Sequence, residues 1–367
     1  MKNYNNKQMG KYLFTTIICL LFQFMYGCCQ DKTLEPYKVL SGHEYTVLCL
    51  DVDKTSSYVV SGSYDTNVIL WDYKTGTQLK SFKGHNSGVW SVKVSPDSKY
   101  VASGSWDNNQ NAKGSAQNCV NILNLKTLKI IKSLSISPDR YKTVRFIPEL
   151  DDTSPNGIYD ILFNINGSKI AAITRSGDLF IWDINDNFNE TSYSFRETNH
   201  DLLALSPDWK YIACTERKRS MVDTGFYLLQ LGMNEVMAKF NNPKRSVIEV
   251  YFSSNSKYIA SISGDRITRN EIDIWDIRTQ ELLFTLKGHS NVIRSIAFGL
   301  NDRYLASAAE DNIVNLWDIH TGKLLASFTE NNGKELTSVV FSPNQKYLIT
   351  GSQDKTIKYW NIEEWIN

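Results

Sequence analysis

A strand-ending pattern that closes on tryptophan returns along nearly the whole chain. Its clearest copies read GSYDTNVILWD (Gly62 to Asp72), AAEDNIVNLWD (Ala308 to Asp318) and GSQDKTIKYWN (Gly351 to Asn361). Trp182 and Trp275 close two similar segments, and Leu123 and Leu229 stand where the remaining tryptophans would fall. The anchors at 71, 123, 182, 229, 275, 317 and 360 are spaced by 52, 59, 47, 46, 42 and 43 residues. Short strands repeating at such a period predict an all-β fold: a seven-bladed β-propeller of four-stranded antiparallel blades.

One repeat shows the internal order. Gly42-His43 opens it, VLCLDV (Val47 to Val52) alternates as a half-buried strand should, and a polar turn leads to YVVSGS (Tyr58 to Ser63). A tight turn through Asp65 gives VILWDY, and Lys74 to Thr77 turns the chain into QLKSF and the next Gly84-His85. From histidine to turn aspartate the interval is 22 residues in three copies: His43 to Asp65, His85 to Asp107, His289 to Asp311. Four residues before the aspartate stands a hydroxyl, Ser61, Ser103, Ser307 or Thr350. Asp, His, Ser/Thr and an indole N–H can satisfy one another in a single buried chain of hydrogen bonds. A serine beside a His–Asp pair also suggests a hydrolase, but a trio repeated in several copies is no single active site.

These motifs resemble the WD-repeat family of seven-bladed propellers over about residues 37 to 362. The resemblance implies structural tetrads at His43, Ser61, Asp65 and Trp71, and at His289, Ser307, Asp311 and Trp317. The second copy keeps His85, Ser103 and Asp107 with Leu123 for tryptophan; the seventh keeps Thr350, Asp354 and Trp360 with Asn332 for histidine. Copies three to five lack the Gly-His opening, so broken tetrads and hydrophobic packing are expected there. The family also implies that partners engage the mouth of the central channel, near the start of each first strand. Trp90, Tyr159, Asp201 and Arg294 are the partner-binding candidates at those positions.

The last copy stops without a fourth strand, and YKVL (Tyr37 to Leu40) precedes the first Gly-His. Pairing these two ends would complete the blade and remove exposed edges. Copies two to five carry extra residues, including NNQNAKGSAQN after Asp107 and SPDRYKTVRFIPELDDTSPN from Ser137 to Asn156. All such loops emerge on one face, where binding residues gather.

Ahead of the repeats, Lys2, Lys7 and Lys11 precede an uncharged stretch from Tyr12 to Gly27, then Cys28. A basic start followed by roughly 14 apolar residues has the form of a signal peptide. Met25-Tyr26-Gly27-Cys28 resembles, in part, the lipobox of bacterial lipoproteins, in which the cysteine is lipidated; Met25 and Tyr26 depart from that pattern. The expected organisation is a signal peptide over 1–27, a tether over 28–36 and the propeller over 37–367, anchored in the cell envelope through Cys28. Plain secretion, or a cytoplasmic protein with an unused leader, remain alternatives.

A formal net charge of +1 gives no case for nucleic acid. Six scattered cysteines make no disulfide framework, and Cys49, Cys119 and Cys214 read as small buried hydrophobes. No Gly-rich phosphate loop and no metal-ligand spacing occurs, so neither cofactor nor metal is expected. The sequence thus predicts a monomeric, non-catalytic scaffold that offers one propeller face to a protein partner. The rival is an exported propeller enzyme or carbohydrate binder using the channel mouth.

Overall fold

The computed structural model describes residues 35–105, 117–136, 157–174, 177–194, 200–216, 225–233, 235–241, 246–264, 270–299, 302–330 and 332–366. Cys28, Asp107 and the bulk of the inserted loops lie outside the described residues. The chain forms seven four-stranded antiparallel sheets. Six use four consecutive strands; in blade 1 these are Val47–Val52, Tyr58–Ser63, Asn67–Asp72 and Gln78–Lys83. The seventh combines Leu336–Phe341, Tyr347–Ser352 and Thr356–Asn361 with Lys38–Ser41 from the other end of the chain. Lys38 lies opposite Tyr359 and Ser41 opposite Thr356, so the expected closure is made.

The ring is held by what lies between blades. Seven clusters of buried apolar residues each join one blade to the next, and one of them joins blade 7 to blade 1. In that last cluster Leu40, Ile357 and Tyr359 pack on Val47, Leu50 and Trp71. Each anchor therefore faces the preceding blade. Trp275 meets the stacked pair Phe226 and Phe240 edge-on, at centroid distances of 6.1 and 5.6 Å.

Strand register confirms the alignment of worn and intact copies. Leu123 pairs with Val101 and Leu229 with Ile212, as Trp71 pairs with Val59 and Trp317 with Leu305. Phe82 and Leu125 pack beside Leu123, while Tyr193, Trp209 and Tyr227 pack around the cluster holding Leu229.

Antiparallel alternation sorts the turns onto two faces. First strands begin, and second-to-third turns lie, on what we term the upper face. First-to-second and third-to-fourth turns lie on the lower face, together with the start of the closing strand at Lys38, beside which Tyr37 stacks on Tyr347 at 5.1 Å.

Candidate functional site

The tetrads form where their residues are complete. In blade 1 the Trp71 indole N–H donates to Ser61 Oγ at 2.8 Å, and Ser61 Oγ lies 2.7 Å from His43 Nε2. His43 Nδ1 lies 2.7 Å from Asp65 Oδ2. Because the Asp65 carboxylate can only accept, the imidazole carries its proton on Nδ1, and Ser61, which accepts the indole N–H, donates its own O–H to Nε2. Burial pushes the Asp65 carboxyl up, but His43 and the backbone N–H groups of Asn67 and Glu44 outweigh it and bring it down to about 2. Blade 6 repeats the arrangement through Trp317, Ser307, His289 and Asp311, at 2.9, 2.7 and 3.0 Å. The second serine of the first copy stands outside the tetrad, where Ser63 Oγ accepts the N–H of Asp65 at 3.0 Å and shapes the turn.

Worn copies are partial networks. In blade 2, His85 Nε2 reaches Ser103 Oγ at 2.7 Å, and burial brings the His85 imidazole down to about 4. In blade 7, Trp360 donates to Thr350 at 3.0 Å and Asn332 donates to Asp354 at 2.5 Å. The cation Lys358 joins that blade's network, 2.9 Å from Glu330 and 2.5 Å from Asp354. Blade 5, which lacks the Gly-His opening, keeps one bond of the tetrad, Trp275 donating to Ser261 at 3.0 Å. In blade 3 Ala172 holds the serine position, and the Trp182 indole turns instead to Glu190 at 3.2 Å. Blade 4 has Cys214 and Leu229 at these positions, both buried. Cys49 is buried as expected, and the side chain of Cys119 lies outside the described residues.

The partner-binding candidates fall on a shared irregularity. Trp90, Tyr159 and Arg294 are each the extra residue of a β-bulge near the start of the first strand, as are Leu48, Ile248 and Thr337. A bulge re-aims the side chain it carries. Asp201 differs: the bulge of blade 4 falls at Leu203, so Asp201 sits in regular pairing opposite Thr215. The side chain of Asp201 lies outside the described residues. Trp90 is half-buried, and the Tyr64 ring meets it edge-on at 5.5 Å. Tyr45 is 60% exposed, Tyr64 51% and Tyr159 42%. Lys355 Nζ lies 5.8 Å from the Tyr45 ring centre, and Arg294 pairs with Glu310. These four aromatics stand on the upper face, with Trp90 more covered than Tyr45, Tyr64 and Tyr159.

Two features escaped sequence reasoning. The first is a polar residue two positions before the anchor, bonded to a hydroxyl on the fourth strand. Ser133 donates to Asn121, Ser327 to Asn315 and Thr285 to Asp273, each at 2.6 Å. The second is a charge cluster on the innermost strands of blades 1 to 3. Asp51 accepts the N–H of Val94 from blade 2 at 2.7 Å, and Asp160 accepts Ser91 Oγ at 3.0 Å. Lys93 acts between them: burial opposes its charge, but Asp51 and Asp160 together raise its pKa above the usual range. Burial likewise raises both carboxyls. The signal was present as Asp51, Lys93 and Asp160 breaking the apolar run of VLCLDV, VWSVKV and IYDILF. Among the described residues no three His, Cys, Asp or Glu side chains are grouped to hold a metal ion.

The WD domain, G-beta repeat family matches residues 34–72, 76–109, 280–318 and 322–361. The chain is 24% identical over 321 residues to nuclear distribution protein nudF 1 of Talaromyces marneffei, covering 81% of this chain and 63% of that protein. It is 24% identical over 178 residues to apoptotic protease-activating factor 1 of Rattus norvegicus, covering 48% of this chain and 13% of that one. WD repeat-containing protein SL1-17 of Schistosoma mansoni is 25% identical over 171 residues, 46% of this chain and 53% of that protein. The chain spans less than two thirds of each of these relatives. Seven sheets and a ring closed by its own two ends make a seven-bladed β-propeller, and four segments of it match the WD40 repeat.

Proposed function

We propose that the protein is a non-catalytic scaffold that binds another protein through its upper face, and that it is exported and held at a membrane through Cys28. The observation that carries the first part is the Tyr64–Trp90 pair with Tyr45 and Tyr159 on the same face. Rigid, partly exposed aromatics form the anchors of protein interfaces, since they bury large areas with little loss of side-chain freedom. The polar tetrads are committed to one another and hold blades rather than substrates. The leader composition before Asp31 supports the second part.

The test is affinity capture from the native envelope with the unaltered chain and with Trp90→Ala and Tyr159→Ala, followed by mass spectrometry. A partner captured by the unaltered chain and lost with both variants, at unchanged thermal midpoints, supports the scaffold. A glycan or peptide turned over by the purified chain, with the same captures in all three samples, overturns it. Cys28→Ser removes fatty-acid labelling and releases the chain from the membrane fraction if Cys28 carries lipid.

A further inference from the structure

The leader and its cysteine have a geometric consequence that depends on where the chain joins the ring. The closing strand begins at Lys38 on the lower face, fixed there by the pairing of Lys38 with Tyr359 and by the stacking of Tyr37 on Tyr347. Residues 29 to 37 can span at most about 30 Å when fully extended. A chain held at Cys28 therefore keeps Lys38, at the rim of the lower face, within that distance of its membrane. The upper face, with Trp90, Tyr64 and Tyr45, lies at the other end of the strands.

The lower face and its rim carry exposed apolar side chains. Ile165, in the first turn of blade 3, is 78% exposed, and Met233, in the last turn of blade 4, is 59% exposed. Val236 and Met237 follow at the start of the fourth strand of blade 4 (Val236–Asn241), and Leu283 holds the same position in blade 5 (Leu282–Lys287). Exposed lysines stand in the turns of the same face, among them Lys54, Lys74 and Lys126. Apolar side chains interleaved with lysines suit the boundary between acyl chains and headgroups, where both find partners. Scattered apolar residues alone would need no explanation. Here they share the face on which the tether arrives.

We infer that the lower face is turned to a lipid bilayer, so that the aromatic upper face points away from the membrane toward its partner. This rests on the reading of Cys28 as the membrane anchor, and two measurements separate the two. Flotation of the unaltered chain with vesicles of phosphatidylethanolamine and phosphatidylglycerol reports the anchor. Hydroxyl-radical footprinting, in detergent and then in those vesicles, reports the face. The expected result is flotation, with loss of oxidation at Met233 and Met237 and unchanged oxidation at Tyr45, Tyr64 and Trp90. Flotation with unchanged Met233 and Met237, or with protection at Trp90 instead, overturns the orientation and leaves the anchor standing. Absence of flotation overturns both. A chain carrying Ile165→Asp and Leu283→Asp, both surface changes, should still float while Met237 regains its oxidation; persistent protection there also overturns the orientation.

Discussion

Asn332 donates its amide to Asp354 at 2.5 Å across the same 22-residue interval that separates His43 from Asp65. The seventh blade has thus rebuilt the histidine contact from different chemistry. A cation also joins the network there, Lys358, held by Glu330 and Asp354.

That substitution can be tested directly. Glu330 is almost fully buried, and removing its cation leaves a carboxylate with no compensating charge. Lys358→Met is expected to cost about 3 kcal/mol or more in chemical denaturation. Lys346→Met, which loses only the surface pair with Glu363, is expected to leave the midpoint nearly unchanged. Equal midpoints for the two variants would contradict the arrangement.

The intact tetrad of blade 6 gives a second contrast. Asp311→Ala strands the Nδ1–H of His289 and the N–H of Ser290, at roughly 1–3 kcal/mol for each group left unsatisfied. His320, exposed in a lower-face turn, serves as the control, and His320→Ala should fall within about 0.5 kcal/mol of the unaltered chain. Thermal unfolding of the two variants side by side decides the matter.

At the ring's axis, Lys93→Met leaves Asp51 and Asp160 facing each other without their shared cation. A loss of about 3 kcal/mol is expected at neutral pH. Both carboxyls already titrate above their ordinary range, so acidification neutralises them readily in the folded chain. The deficit should narrow as the pH falls, and a deficit that widens on acidification would count against the cluster.

His85 predicts a pH dependence of its own. Burial lowers its imidazole from 6.5 to about 4 in the fold, so below pH 6.5 the unfolded chain binds this proton and the folded chain does not. Stability is therefore lost as the pH drops from about 6.5 toward 4, by up to about 3 kcal/mol from this group. Comparing His85→Gln with the unaltered chain by urea titration across that window isolates the contribution. Parallel pH profiles would dismiss it.

Blade number, strand order and ring closure were all readable in the sequence, because a repeated strand cannot bury its face alone and the anchors mark each repetition. The strands Val47–Val52 and Tyr58–Ser63 fall where alternation placed them. The Trp275–Ser261 bond was not read, because the missing Gly-His drew attention away from a hydroxyl that register alone brings opposite. Asp201 was placed with the others by its position near the start of a first strand, but in blade 4 the bulge falls two residues later, at Leu203. Asp51, Lys93 and Asp160 were visible as breaks in three apolar strands, but their grouping was not, since they belong to three repeats whose first strands come side by side only in the fold.

Closure by Lys38–Ser41 also sets an order of events in assembling the ring. Of the strands in the ring, the one made first has as its partner Thr356–Asn361, the one made last. Until then Leu40 has no Ile357 or Tyr359 to cover it, and blade 1 has no neighbour on its Trp71 side. A chain interrupted anywhere before Thr356 keeps that edge open, so the ring conceals its own beginning only once its last strand has paired.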